Sequence, residues 1–297
     1  MKIFDRQYQL IIGNYSTGDG VLIEDLNITF DIAKSADNKR KGHNTASFSV
    51  YNLTAQQREF AESRHITVQL NVRYGSSSVY VPMFKGEVTQ AFSEKSGPDI
   101  VTSMECGDGF VALTTTKLKQ VMPQGTSIGS VLEEIRSRMP NVARGSYTVV
   151  NLDSPISRSY RLSGTAREAL DKLAKEYKLD YTIDGGILNV TDQAKPLFKN
   201  TETAPLISPS TGLIEIPYNT TEEARVTAKD KTRRDGIKFK CFLNPEIVCG
   251  SLVVLRDTTN NTDGFYRVNS LRHSGTYRGN DWLTEVMASR VDAEELT

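Results

Sequence analysis

The chain has 297 residues with 38% hydrophobic and 24% charged side chains, an ordinary globular composition and enough length for two or three domains that each bury a core. Lys plus Arg and Asp plus Glu both number 36, so no overall field draws the chain towards nucleic acid or an acidic membrane, and only local basic patches remain to do so. No stretch approaches the roughly 20 apolar residues of a membrane-spanning helix, and MKIFDRQYQLIIG lacks the apolar run and cleavage site of a signal peptide, which predicts a chain that stays in the cytoplasm where it is made.

Residues 1–113 are mostly strand. After an opening strand at Gln7 to Gly13, Leu26, Ile28, Phe30 and Ile32 alternate with Asn27, Thr29 and Asp31, the period of a sheet wetted on one side. Ala46, Phe48 and Val50 answer in a second strand. SADNKRKGHN between the two reads as a solvated hairpin tip, and Thr54 with Gln57 supplies a capping box for AQQREFAES. His65 to Tyr74, VYVPMF, GEVTQAF and DIVTSMEC follow as short strands, with GSSS and SEKSGP as turns. Such a succession predicts a small barrel or curled sandwich, and barrel closure would hide the strand edges.

The character changes after Gly109. Leu113 to Gln124, rich in Thr and Lys, reads as a linker; Ile128, Val131, Leu132, Ile135 and Met139 then recur at helical spacing before Pro140. SYRLSG reads as a strand, and Thr165 with Glu168 caps a second helix whose stripe is Leu170, Leu173, Ala174 and Tyr177. LDYTIDGGILNV is a hairpin turned at Asp184 and Gly185, where Asp-Gly suits the required positive φ. Residues 114–200 thus form an α+β middle module of βαββ type, which assigns no chemistry by itself. Ala194 to Asn219, with Pro196, Pro205, Pro209 and Pro217, reads as a surface connection. Strands return in residues 201–297 as ARVTAK, IKFKCFLN, SLVVLRD, FYRVNSLRH and DWLTEVMAS, with polar tips KTRRDG, TTNNTDG and SGTYRGN. The expected fold is mainly β with an α+β insert: two small barrel-like β domains, 1–113 and 201–297, flanking the mixed module.

The two β segments share a faint pattern. Phe84, Val88 and Phe92 precede the tip SEKSGP as Phe265, Val268 and Leu271 precede SGTYRGN, and both return strands carry Asp-x-x-Thr, at Asp99/Thr102 and Asp281/Thr284. Chance strand similarity and internal duplication both account for this. Under duplication, three chains would build a ring of six similar units.

Residues able to carry chemistry are scattered. His43, His65 and His273 lie far apart with no second ligand at short spacing, against a metal site. Cys106, Cys241 and Cys249 are odd in number without a CxxC pair, against a disulfide framework, and Cys241 falls on the apolar face of IKFKCFL as a buried small hydrophobe. A hydrolase needs an acid and a base about 5–10 Å apart. Glu133 and Glu134, Asp180 and Asp184, and Glu222 and Glu223 are the carboxylate pairs to test, each with a simple surface reading. STGDG and ECGDG lack the Lys-Ser/Thr of a phosphate loop and read as turns. Lys39, Arg40 and Lys41, and Lys229, Lys231, Arg233 and Arg234, read as solvated tips or as contacts to acidic surfaces of neighbouring subunits. No residue is assigned a catalytic, cofactor-binding or metal role, and the expectation is no enzyme and no cofactor.

Three strings in order, DLNITFDI…TASFSVYNLT with MFKGEV and ECGDG, then YRLSGTAREALDKLAKEYKLDYTIDGGILNV, then GIKFKCFLNPEIVCGSLVVL…GFYRVNSLRHSGTYRGNDWLTEV, resemble tailed-phage baseplate hub proteins. Gly250 and Trp282 keep the resemblance, whereas the chain stops soon after the last strand, without the extra domain of larger hubs. The resemblance implies a homotrimeric ring at the centre of a contractile-tail baseplate, located in the virion and assembled in the host cytoplasm. Each subunit would supply two tube domains that adapt a sixfold tail tube to a threefold spike and let DNA through at genome ejection. The implied partners are the tail tube protein, central spike, baseplate wedge and tape-measure proteins, with no membrane insertion. A secretion-system spike component and a hub-borne peptidoglycan hydrolase are the rival readings.

Overall fold

The computed structural model describes residues 5–36, 44–75, 79–197, 201–220, 236–257, 259 and 262–291. The N-terminal part runs β1 (Arg6–Asn14), β2 (Gly20–Ile23), β3 (Ile28–Ser35), β4 (Thr45–Tyr51), α1 (Ala55–Ala61), β5 (Ile66–Tyr74), β6 (Val81–Ser96) and β7 (Asp99–Gly107). The middle runs α2 (Phe110–Thr115), β8 (Lys117–Met122), α3 (Ile128–Arg138), β9 (Ala143–Thr148), β10 (Tyr160–Thr165), α4 (Ala166–Tyr177), β11 (Leu179–Asp184) and β12 (Ile187–Asp192). The C-terminal part is β13 (Leu206–Ile207), β14 (Tyr218–Thr220), β15 (Gly236–Phe242), β16 (Leu252–Leu255), β17 (Gly264–Thr276) and β18 (Trp282–Arg290). Mainly β with an α+β insert is what the molecule adopts.

Local chemistry builds these elements as the pattern predicts. Ile28, Phe30 and Ile32 of β3 and Ala46, Phe48 and Val50 of β4 are buried, their alternating neighbours less so. Thr54 with Gln57 and Thr165 with Glu168 form complete capping boxes at the starts of α1 and α4. Ile128, Val131, Leu132 and Ile135 make the buried stripe of α3. Burying each such Ile or Leu is worth roughly 1.5–3 kcal/mol against leaving it wet.

Several expectations shift. Leu113 to Gln124 is no linker: it contains the end of α2 and all of β8, and β8 pairs with the distant β10, from Lys117 opposite Thr165 to Met122 opposite Tyr160, which its local composition does not disclose. Ala194 to Asn219 is more than a surface connection, since Leu197 and Ile207 are buried and β13 pairs with β16. VYVPMF and GEVTQAF are one strand, β6. The β11–β12 hairpin turns one residue later than expected, on Gly185 and Gly186 at φ +62° and +79°, which frees the Asp184 side chain for a partner. The tip at residues 37–43, most of GSSS, and the ARVTAK strand with the KTRRDG tip lie outside the described residues.

Backbone pairing joins both β segments into one 13-stranded sheet, ordered β14-β15-β18-β17-β3-β4-β7-β6-β5-β1-β2 with β16 and β13 off the path at β17. Barrel closure is absent among the described residues, because the strands run on into the next unit instead of returning. Side chains bridge the curl. The Tyr8 hydroxyl donates to the Leu26 carbonyl at 2.6 Å, and Arg6 donates to the Gly279 carbonyl while its guanidinium lies 5.1 Å over Trp282. One core contains Leu10, Phe30, Phe48 and Phe84 together with Trp282 from the C-terminal part; a second is built on Ile237, Phe239, Val268 and Val286; the third fills the middle module. Gly275 sits between Phe30 and Trp282 with no side chain of its own, and a Cβ there would lie 2.5 Å from the indole and 2.6 Å from the phenyl ring. Those rings meet edge to face at 5.0 Å over it.

Within the sheet, β3-β4-β7-β6 and β14-β15-β18-β17 are two units with the same strand order and the same chain order. A row across the first runs Asp31–Ser47–Glu105–Gln90, and across the second Tyr218–Lys238–Met287–Ser270. Both rows end on the first residue past a β-bulge, between Val88 and Gln90 in β6 and between Val268 and Ser270 in β17. Before its bulge each long strand pairs with another partner, β5 for β6 and β16 for β17. The buried threonines of the Asp-x-x-Thr pattern match too. Ser93 lies 2.9 Å from the Thr102 hydroxyl, and at the matching place His273 Nδ1 lies 2.8 Å from the Thr284 hydroxyl.

His273 is fully buried, and burial, with a smaller effect from Lys34, pushes its pKa down to about 3. The neutral ring therefore adds stability that is fully present above the free histidine value of about 6.5 and drains away as pH falls towards 3. His273→Ser, which copies the other unit, should cost about 1–3 kcal/mol at pH 7 from lost packing. Denaturant titrations should show the variant losing less stability than the parent between pH 7 and pH 4.

Candidate functional site

The sheet face turned away from the cores is paved with short polar side chains. Thr29, Ser47, Ser49 and Ser103 occupy its centre across β3, β4 and β7, and Ser274 and Thr276 extend it onto β17. They follow from the alternation itself, since every second residue of these strands must point away from the core. Three cations on this face, Arg272, Lys238 and Lys240, have carboxylate partners. Arg272 Nε donates to both Asp31 oxygens at 2.8 and 3.0 Å, and Lys240 lies 3.5 Å from Glu215 and 3.9 Å from Glu285. Such exposed pairs add little stability, yet they offset the charge of the cations they hold. A hollow of about 310 Å³ on the face is lined by Thr45, Lys238, Arg272 and Glu285.

The middle module is held against the sheet by buried polar contacts. Lys34 continues the inward series Ile28, Phe30, Ile32 and extends to Asp184 at 2.6 Å. Asn44 donates to the Ile183 carbonyl at 2.7 Å. The Asp108 carboxylate accepts the amides of Gly185 and Gly186 at 2.6 and 3.1 Å; burial and nearby Asp184 push this acid up to about 8 against the pull of those amides and Lys34. Arg267 donates to Asp180 at 3.0 Å and to Asn269 at 2.9 Å, with both charged groups almost wholly buried. Arg267 and Glu87 occupy matching places in the two units, and Glu87 accepts the Phe110 amide at 3.1 Å, so each unit grips the module from the same position. A crevice of about 400 Å³ between module and sheet is lined by Glu87, Asp108, Asn141 and Gly186.

Among the described residues, those weighed for catalysis do not converge. Glu133 is held below its usual range by the Arg136 guanidinium at 2.8 Å, and Glu134 pairs with Arg138 at 2.9 Å on the next turn. Asp180 and Asp184 face separate cations. His65 lies 2.9 Å from the Tyr15 hydroxyl, His273 is buried beside Thr284, and no cluster able to hold a metal occurs among the described residues. Cys106, Cys241 and Cys249 are all buried as free thiols. Glu222, Glu223, His43 and both basic tips, Lys39 to Lys41 and Lys229 to Arg234, lie outside the described residues. Pattern reading passed over Lys34, Asp108 and Arg267. A lysine at a core-facing step of β3 was the available signal, whereas Asp108 in ECGDG looked like any turn residue.

Removing one member of a buried ion pair strands the other. Arg267→Ala or Asp180→Asn should therefore cost about 3–5 kcal/mol in chemical denaturation, and the double variant Arg267→Met with Asp180→Leu should cost less than either.

Comparison with known proteins places the geometry in context. The family model described as Baseplate hub gp41 matches residues 10–288. No curated protein matches the sequence. The 43 kDa tail protein of prophage MuSo2 from Shewanella oneidensis has a similar structure, with TM-score 0.64 at 11% identity over 96% of this chain and 98% of that one. The tail protein from Neisseria meningitidis MC58 also gives TM-score 0.64 at 11% identity, covering 95% and 96%. The E. coli c3393 protein, a type VI secretion component with structural similarity to T4 tail proteins gp27 and gp5, gives 0.61 at 8% identity over 90% and 74%. At such identities the solved structures speak for the fold alone.

Proposed function

We propose, from the premise that this chain belongs to the baseplate hub gp41 family, that three copies form a ring at the centre of a tail baseplate, with the hydroxyl-paved face lining a conduit for DNA. The observation that carries this reading is the repeated four-strand unit. Two equivalent units per chain, taken three times, offer six similar surfaces to a sixfold tube while the whole keeps threefold symmetry towards a spike. The paved face suits a sliding polyanion. Phosphates bind where cations are free to replace counterions, and on this face Lys238, Lys240 and Arg272 are already paired with carboxylates.

The role requires no covalent step, and partners on this reading are the tail tube, spike, baseplate wedge and tape-measure proteins of a contractile tail assembled in the host cytoplasm. The c3393 likeness supports a second setting, a spike component of a secretion system. Sheath, tape-measure and wedge genes beside this one would favour the tail. A cell-wall hydrolase reading predicts peptidoglycan cleavage that Glu133→Gln or Asp180→Asn abolishes.

Sedimentation at micromolar concentration should show a species of three times 33.0 kDa, alone or once the tube or spike partner is added. A chain that remains monomeric with both partners present would remove the ring.

A further inference from the structure

The geometry points to the seam between copies: the part of β6 beyond its bulge in one copy pairs antiparallel with β14 of the next, with Glu94 opposite Tyr218 and Phe92 opposite Thr220. This rests on the ring reading above and supplies its joint. The template is inside the chain. β17, the last strand of one unit, pairs with β3, the first strand of the other, with Ser274 opposite Asp31 and Arg272 opposite Ala33. At the outer ends of the two units the equivalent strands are β6 and β14. β14 ends the sheet order, and from Gln90 onward β6 is paired with β7 alone among the described residues.

The register follows from the matched rows. Gln90 and Ser270 are both first past their bulges, so Glu94 takes the place of Ser274 and Phe92 that of Arg272. Asp31 and Tyr218 begin the two rows, so Tyr218 takes the place of Asp31. The inner seam carries an ion pair between Arg272 and Asp31, diagonal neighbours on the paved face. Transposed to the outer seam, the same two places hold Phe92 and Tyr218. These aromatics stand 43% and 51% exposed on the separate edges, and they would cover each other when the edges meet. An open strand edge bearing an exposed aromatic is a liability unless another strand takes it, and a second copy offers a strand of the right direction and register.

The test is a cysteine pair in the full chain. Glu94→Cys with Tyr218→Cys, oxidised under native conditions and blocked before denaturation, should give disulfide-linked dimers and trimers; Glu94→Cys with Leu22→Cys on the β2 edge should not. A chain that sediments as a trimer yet links only through the Leu22 pair, or through neither, overturns the seam and leaves the ring. A chain that neither links nor associates with its partners overturns both. Phe92→Arg should weaken association at least about tenfold, and adding Tyr218→Asp, which copies the inner ion pair, should recover most of it. A double variant as weak as the single one overturns the matched register.

Discussion

The architecture depends on one antiparallel ladder, β17 with β3, running from Ser270 opposite Ser35 to Thr276 opposite Thr29. Each four-strand unit has two edges, and every backbone donor on an edge must find an acceptor or stay in water. Joining the units through this ladder satisfies one edge of each and, among the described residues, leaves β14 and the part of β6 beyond its bulge as the remaining edges. The chain is therefore neither two separate barrels nor one closed sheet. It is a length of sheet whose remaining edges are of opposite kinds, the first strand of one unit and the last strand of the other. That is the condition for head-to-tail repetition around a closed ring.

The middle module sits across this ladder rather than beside it. Lys34 reaches it from β3 and Arg267 from β17, the two strands that make the join, and each meets its own carboxylate in the module. Buried ion pairs are poor sources of net stability, because the cost of stripping water from both charges offsets most of the attraction. Their value here is positional. A sheet shifted by one residue relative to the module would leave Arg267 or Asp180 buried without its partner, so the contacts select one arrangement of the units. The aromatic stack of Phe30 and Trp282 over Gly275 does the same from the core side, since only a residue without a side chain admits both rings.

Much of this was legible in the chain. Period-two alternation located β3 and β4 with their inward residues, and both capping boxes marked helix starts correctly, because those signals act over a few residues. The Asp-x-x-Thr match proved to lie at equivalent places, with the same hydroxyl-centred contact in both units, although the aligned apolar residues around it did not all correspond: Phe92 matches Arg272, not Leu271. What escaped was decided at long range. β8 looks like a linker until β10 is beside it, and the join of the two β segments depends on strands some 240 residues apart. The paved face was legible in kind, as a wetted side of alternating strands, but its extent across both segments required knowing their order in the sheet.

The bulges at Thr89 and Asn269 have a bearing on how this gene can change over generations. Each is a single supernumerary residue that lets one strand serve two partners and that sets which side chains beyond it point out. By contrast, residues added in the turn at Gly97 and Pro98 lie beyond the last paired residues, Ser96 and Asp99, and rephase nothing within the strand. Losing one codon at either bulge would invert the whole remainder of the strand, so inheritance should preserve codon number there even where the amino acids drift.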